Sequence, residues 1–268
     1  MTGVSIIIPT YNSSRTIGKC LCSINRQTKP CAEIIVVDRF SKDGTREMAR
    51  QAGASVLEAE ANRSEARNIG LKHASSTGIL FIDSDMILPR DLVEECELKL
   101  LQHSAIVIPE ISIGHGFWAQ CKALERRINQ GNPLTEAARC FRRDHLLAVG
   151  AYDSALEAGE DWDLQNRVRD NGFSIGRVDA MITHDEGNPS LVTLLRKKYA
   201  YGKTMGPYLK QNPNAFLRQL NPFLRVLRPS FRIIPSDPYH GSGVLMIKTL
   251  EFVAGGLGRI MAEVDDLR

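Results

Sequence analysis

The feature that most constrains this chain is the regular exchange, over its first hundred residues, of short apolar runs with amphipathic stretches. Residues 4–8, 34–37, 54–57, 79–82 and 105–108 are brief runs rich in Ile and Val, the pattern of strands covered on both faces. Between them, residues 14–26 carry Ile17, Leu21 and Ile24 at helical spacing. Residues 45–52 follow the turn-like Asp43-Gly44, and residues 64–74 follow a candidate cap at Asn62. Short buried strands separated by helices of that length predict an α/β fold with a mainly parallel sheet flanked by helices. The second half is less regular. Residues 118–129 read as a helix ending at the breaker Gly131-Asn132-Pro133, residues 161–169 as a helix stopped by Asn171-Gly172, and residues 175–178 and 180–183 as two further strands. From residue 191 the pattern is helical with repeated prolines, and a last helix near residues 244–262 carries an apolar face. The expected division is a body over 1–205 and a helical, basic C-terminal extension over 206–268.

At 268 residues and 43% hydrophobic composition, the chain can bury one sizeable core. The first apolar run ends at Pro9 and suits a buried strand, so no cleaved secretory leader is expected. No stretch reaches the roughly 18 uninterrupted apolar residues of a membrane span. Six cysteines with no C-x-x-C pair predict reduced, mostly buried thiols, and with them a cytoplasmic location. Net charge is +3, yet residues 191–234 hold Arg196, Lys197, Lys198, Lys203, Lys210, Arg218, Arg225, Arg228 and Arg232 with no Asp or Glu. Such a segment meets something anionic, whether phosphate, a membrane surface or the body itself, or else it is a solvated basic face. No nucleic-acid-binding module accompanies it, so nucleic acid is not an expected partner.

In an open parallel sheet, ligands bind outside the carboxyl ends of the strands. The first strand runs into Pro9-Thr10-Tyr11-Asn12, the second ends at Asp38, and the strand over residues 78–82 ends in Asp83-Ser84-Asp85. If the chain stays extended, Asp83 and Asp85 share one face about 6–7 Å apart, where a divalent cation could meet a diphosphate. The plain alternative is a turn in which the aspartates cap backbone amides. A carboxylate at the end of a buried strand, as at Asp38, needs a partner, and a ribose hydroxyl or a base nitrogen would serve.

Val4-Ser5-Ile6-Ile7-Ile8-Pro9-Thr10-Tyr11-Asn12, Ile34-Ile35-Val36-Val37-Asp38 with Ser41-x-Asp43-Gly44-Thr45, Ala66-Arg67-Asn68-x-Gly70, Phe81-Ile82-Asp83-Ser84-Asp85 and Gly159-Glu160-Asp161-Trp162-Asp163-Leu164 follow one another in order. Together they resemble the signature of family 2 glycosyltransferases with the GT-A fold, a Rossmann-like architecture. The resemblance covers about residues 4–185. It implies that Pro9, Thr10, Tyr11 and Asn12 cradle the nucleotide base, that Asp38 holds base or ribose, and that Arg67 reaches toward the nucleotide or its phosphates. It further implies that Asp83 and Ser84 contact the donor on the ribose side, and that Asp85, with Asp83 and His184, holds Mn2+ or Mg2+. The other reading of His184 is a satisfied, partly buried histidine; as a ligand, its imidazole would favour manganese somewhat. Two departures stand out. Arg39 and Phe40 follow Asp38 where the family usually has a second acidic residue, and no Q-x-x-R-W element of processive synthases is present, so a single transfer is expected.

The mechanism implied is an inverting displacement from a nucleotide diphosphate sugar, with Asp161 as the base that deprotonates the acceptor hydroxyl and Glu160 binding the acceptor or holding Asp161 in place. Acidic residues in the first turn of a helix also complement its dipole, and both roles can hold. Uridine diphosphate is the carrier the resemblance favours, with guanosine and thymidine forms open. The acceptor is a small molecule, a glycan or a lipid-linked group. Peripheral contact with the inner membrane face, through the basic segment and the apolar face of the last helix, is one reading of the extension; a packing role is the other. Two rivals remain on the sequence: a sugar-phosphate nucleotidyltransferase, and a non-catalytic nucleotide-sugar-binding protein.

Overall fold

The computed structural model describes residues 3–213 and 236–266. In chain order the strands are β1 (Val4–Thr10), β2 (Glu33–Asp38), β3 (Ser55–Glu58), β4 (Gly78–Phe81), β5 (Met86–Ile87), β6 (Ala105–Val107), β7 (Glu110–Ile113), β8 (Ala138–Arg142), β9 (Ile175–Arg177) and β10 (Ile182–Asp185). The helices are α1 (Ile17–Asn25), α2 (Thr45–Gln51), α3 (Arg63–His73), α4 (Leu92–Leu100), α5 (Phe117–Asn129), α6 (Arg143–Ala148), α7 (Glu160–Asp170), α8 (Leu191–Thr204), α9 (Gly206–Gln211) and α10 (Pro238–Asp266). Two compact units are interleaved in sequence. One comprises Met1–Glu110, Ala137–Ser154 and Glu160–Asp185, the other Ile111–Glu136, Ala155–Gly159 and Glu186–Arg268. The second unit therefore draws in α5 and α8 from before the boundary expected at residue 205.

The first unit is built on a seven-stranded sheet in the order β3-β2-β1-β4-β8-β6-β9. β1 pairs in parallel with β2, Thr10 opposite Asp38, and with β4, Ile7 opposite Phe81, which brings three carboxyl ends to one rim. β8 runs antiparallel between β4 and β6. Its sequence, Ala138-Arg139-Cys140-Phe141-Arg142, offers no apolar run and was not anticipated. Because it is antiparallel, its beginning, with Arg139, lies toward the rim where β4 ends.

Alternation along β1 explains its burial on both sides. Val4, Ile6 and Ile8 join Ile17 and Leu21 of α1 and Leu92 and Cys96 of α4 in one core, while Ile7 joins Ile35, Phe81, Leu71 of α3 and Leu164 of α7 in another. Each fully buried Ile or Leu contributes about 1.5–3 kcal/mol. Asn62 caps α3 by accepting from the Glu65 amide at 2.9 Å. At Gly70 the helix approaches β1 so closely that a Cβ would collide with the Ile7 side chain. Arg67, three residues earlier and on the same face of α3, is carried beneath the surface with it. The six cysteines are unpaired, and Cys20, Cys96, Cys121 and Cys140 are buried.

The second unit packs α5, α8 and α10 around Cys121, Leu124, Ile128, Leu194, Val244 and Ile247. α8 and α10 meet where Gly202 faces the backbone of Gly255 and Gly258 faces that of Tyr199, so the Gly255-Gly256-Leu257-Gly258 run serves close helix packing. Lys122 lies 2.5 Å from Glu125 and 3.7 Å from Glu251, and Lys248 contacts the same two carboxylates. No helix among the described residues is long and apolar enough to cross a membrane. The expected helical pattern around Arg218, Arg225, Arg228, Arg232, Pro222 and Pro229 lies outside the described residues.

Candidate active site

At the rim, the loops after β1 and β2 are laced together. Thr10 Oγ1 and Ser41 Oγ donate to Asp38 Oδ2 at 2.8 and 2.6 Å, and the Ser41 amide donates to Oδ1 at 2.7 Å. The Asn12 amide donates to Ser41 Oγ, and Asn12 Oδ1 accepts from the Lys42 amide. Asp38 is 0% exposed. The resemblance implies a base or ribose on it; in this geometry its carboxylate accepts three hydrogen bonds from its own loops. What the loops do present is Tyr11, 61% exposed, with the Arg39 guanidinium 5.9 Å from its ring centre. Phe40 is exposed as well, held at φ 51 in the left-handed region, a conformation that a bulky residue adopts only where its surroundings enforce it.

A chain reversal at Ser84 and Asp85 separates the two aspartates expected on one face. The Met86 amide returns to the Asp83 carbonyl at 3.1 Å, and Ser84 Oγ donates to Ser13 Oγ at 2.9 Å. Asp83 Oδ1 lies 3.1 Å from Arg67 Nη2, and its Oδ2 lies 3.5 Å from Arg139 Nη1. Burial would push this carboxyl up, but Arg139 and Arg67 outweigh it and hold the group well below the usual range. Both its oxygens face guanidinium groups, so in this structure Asp83, expected as a metal ligand, is paired with Arg67 and Arg139.

Asp85 turns the other way. β10 pairs antiparallel with β5, His184 opposite Met86, and this register places His184 Nε2 3.3 Å from Asp85 Oδ1. That oxygen is buried and accepts no hydrogen bond from the described residues, which is costly for a carboxylate unless a cation or donor completes it. Among the described residues no three His, Cys, Asp or Glu side chains form a metal-holding group. Asp85 and His184 would hold a divalent cation, with water or phosphate oxygens needed to complete its shell.

Arg67 is the centre of the third cluster. It is 1% exposed, and a buried guanidinium needs acidic partners. Nη1 donates to Asp161 Oδ1 at 2.9 Å and lies 3.5 Å from Glu160 Oε1, and the group stacks 4.8 Å from the Tyr152 ring centre. Burial works against its charge, yet Asp161, Tyr152, Asp83 and Glu160 raise its pKa further. Tyr152 Oη also donates to Asp161 Oδ1, at 3.0 Å. Asp161 thus has one oxygen fixed by two donors, while its second accepts no hydrogen bond among the described residues. Glu160, nearly buried at the start of α7, is pushed up to about 7 by burial and by Asp161 beside it.

Arg139 and Tyr152 were missed by sequence reasoning. Arg139 Nε donates to Glu110 at 2.6 Å, and its position at the start of an antiparallel strand escapes a search confined to carboxyl ends. The available signal was an arginine entering an otherwise buried Cys140-Phe141 pair, which calls for an acidic partner.

The family model described as Glycosyl transferase family 2 matches residues 5–151. Glycosyltransferase AglE of Haloferax volcanii is 28% identical over 220 residues, which cover 75% of this chain and 72% of that protein. Mannosyltransferase PcManGT from Pyrobaculum calidifontis, solved in complex with GDP-Man and Mn2+, superposes with a TM-score of 0.66 at 17% identity, covering 96% of this chain and 86% of that one. S. aureus TarS 1-349 in complex with UDP-GlcNAc superposes with a TM-score of 0.58 at 17% identity, covering 99% and 92%. At such identities the two structures speak for the shared fold.

Proposed function

Because the chain belongs to glycosyl transferase family 2, and so is a glycosyltransferase, we propose that it moves a single sugar from a nucleotide diphosphate donor to an acceptor hydroxyl with inversion. The observation that carries this reading is Asp161: one carboxylate oxygen is held by Arg67 and Tyr152 and the other is open, the arrangement a general base requires. The acceptor hydroxyl gives its proton to that open oxygen as its own oxygen attacks the anomeric carbon. The bond to the diphosphate breaks on the opposite side. Glu160, pushed up to about 7 by burial and by Asp161 beside it, is a neighbour that takes up a proton near neutral pH. Arg67 fixes the orientation of Asp161 and carries positive charge toward Asp83.

On the donor side, Tyr11 and Phe40 offer aromatic faces to the base, and Asp38 anchors the loops that carry them. Asp85 and His184 would hold Mn2+ or Mg2+, which when bound supplies positive charge to the departing diphosphate. A carrier of uridine diphosphate remains the first choice, with a guanosine form next.

The test is turnover of a panel of nucleotide sugars with Mn2+ or Mg2+, followed by acceptor screening with the donor that turns over. Release of nucleoside diphosphate, with inverted configuration in the product, supports the proposal. Pyrophosphate release would instead make the chain a nucleotidyltransferase, and binding without turnover would make it a nucleotide-sugar receptor.

A further inference from the structure

Arg139 sits at a break in the sheet. β6 and β8 pair Ala105 with Phe141 and Ile106 with Cys140, but the next pair is Val107 with Ala138, so Arg139 is passed over in a β-bulge. A bulge re-aims a side chain out of the ladder's alternation, and such breaks collect beside active sites. Two contacts hold this one in place. The Ala138 amide donates to Gln165 Oε1 of α7 at 2.8 Å, in a buried position, and Arg139 Nε donates to Glu110 Oε1 at 2.6 Å. So held, Arg139 Nη1 lies 3.5 Å from Asp83 Oδ2.

The charges around Arg67 show what this arrangement is for. That single guanidinium faces Asp83 at 3.1 Å, Asp161 at 2.9 Å and Glu160 at 3.5 Å. Its donors form a rigid fork, so a shift toward one acid is a shift away from another. Arg63, 3.7 Å from Glu160, takes up part of the demand on one side, and Arg139 takes up part of it at Asp83. Glu110, Arg139, Asp83, Arg67 and Asp161 thus form one line of alternating charge that ends at the proposed base. We infer that Arg139 is a positioning residue for that base: by holding Asp83 Oδ2 it lets Arg67 Nη1 stay on Asp161 Oδ1, which leaves the other oxygen of Asp161 to take the acceptor's proton. This rests on the reading of Asp161 as the base.

The experiment compares the full chain with Arg139→Gln, alone and in the Asp161→Asn background. In a crystal structure of Arg139→Gln, Arg67 should be drawn toward Asp83 and its contact with Asp161 Oδ1 opened past hydrogen-bond reach, about 3.5 Å; an unchanged contact overturns the inference. Turnover is read as nucleoside diphosphate released from UDP-glucose or GDP-mannose with Mn2+, water serving as the acceptor. Arg139→Gln should lower kcat by about 10- to 100-fold and leave the donor KM within about twofold of the parent value. In the Asp161→Asn background the same substitution should lower the residual rate no further, because the group it positions is already gone. An equal fold-loss in both backgrounds would mean that Arg139 acts apart from Asp161, and a loss confined to donor KM that it touches the donor; either overturns the inference. Asp161→Asn at the parent rate would overturn the base reading itself, and this inference with it. Should Arg139→Gln not fold, Arg139→Lys carries the same kinetic comparisons with a smaller loss of kcat, since it keeps the charge beside Asp83 but has no Nε donor for Glu110.

Discussion

Among the described residues, two buried ionic clusters are built on opposite terms. In the second unit, Lys122 and Lys248 face Glu125 and Glu251. Burial opposes every charge there, but the partners outweigh it, holding both glutamates below their usual range and Lys122 above its own. None of these four side chains has a buried atom left without a hydrogen bond. At the rim of the first unit, Asp83, Glu110, Glu160 and Asp161 surround Arg63, Arg67 and Arg139. There Glu160 is raised to about 7, while Arg67 Nε, Arg139 Nη1 and Asp85 Oδ1 are buried without hydrogen-bond partners. A balanced cluster is complete in itself. An unbalanced one, kept in place by folding, is suited to receive a further charge or proton.

The contrast can be broken most sharply at Asp161. Asp161→Asn should lower the transfer rate by about 10² to 10⁴ and leave donor affinity, measured by calorimetry, nearly unchanged; an equal loss of donor binding would remove Asp161 from the base role. Next in size is Arg67→Met, which takes one buried arginine partner from Asp83, Glu160 and Asp161. It should destabilise the full chain by about 3–5 kcal/mol in urea unfolding.

Glu160 tests the proton directly. The folded protein holds this proton more tightly than the unfolded chain, whose glutamate titrates near 4.5. The stability it contributes is therefore complete below about 4.5 and drains as pH rises through about 7, a change of about 2–3 kcal/mol. Glu160→Gln should flatten that slope in thermal melts across this range. The smallest effect is expected in the balanced cluster. Lys248→Met together with Glu251→Leu removes one cation and one anion and should change stability by no more than about 1 kcal/mol; a larger loss would mean that the two clusters are less different than their geometry suggests.

What the sequence disclosed, and what it hid, follows from how each element is buried. β1, β2 and β4 were legible because a strand covered on both faces must be apolar throughout, and Asp38, Asp83 and Asp85 lie at or just after their carboxyl ends. β8 was hidden because antiparallel pairing with charged ends leaves an alternating pattern and no run. The reversal at Ser84 was hidden for a different reason: a single residue between aspartates gives a spacing, and only the backbone decides whether that spacing stays extended. Asp38 shows the limit most plainly. The need for a partner was readable, but not that Thr10 and Ser41, the second three residues along the chain, donate to its carboxylate. The composition of the second unit was out of reach, since α5 joins α8 and α10 across a long separation in sequence.

The stitching of the β1 and β2 loops through Thr10, Asn12, Asp38 and Ser41 has one more consequence. Those residues surrendered their freedom when the chain folded, so a donor arriving there has little disorder left to quench, and more of its contact energy survives as affinity. Ser41→Ala would loosen the stitch without touching the carboxylates around Arg67, and its mark should be a rise in KM with kcat preserved.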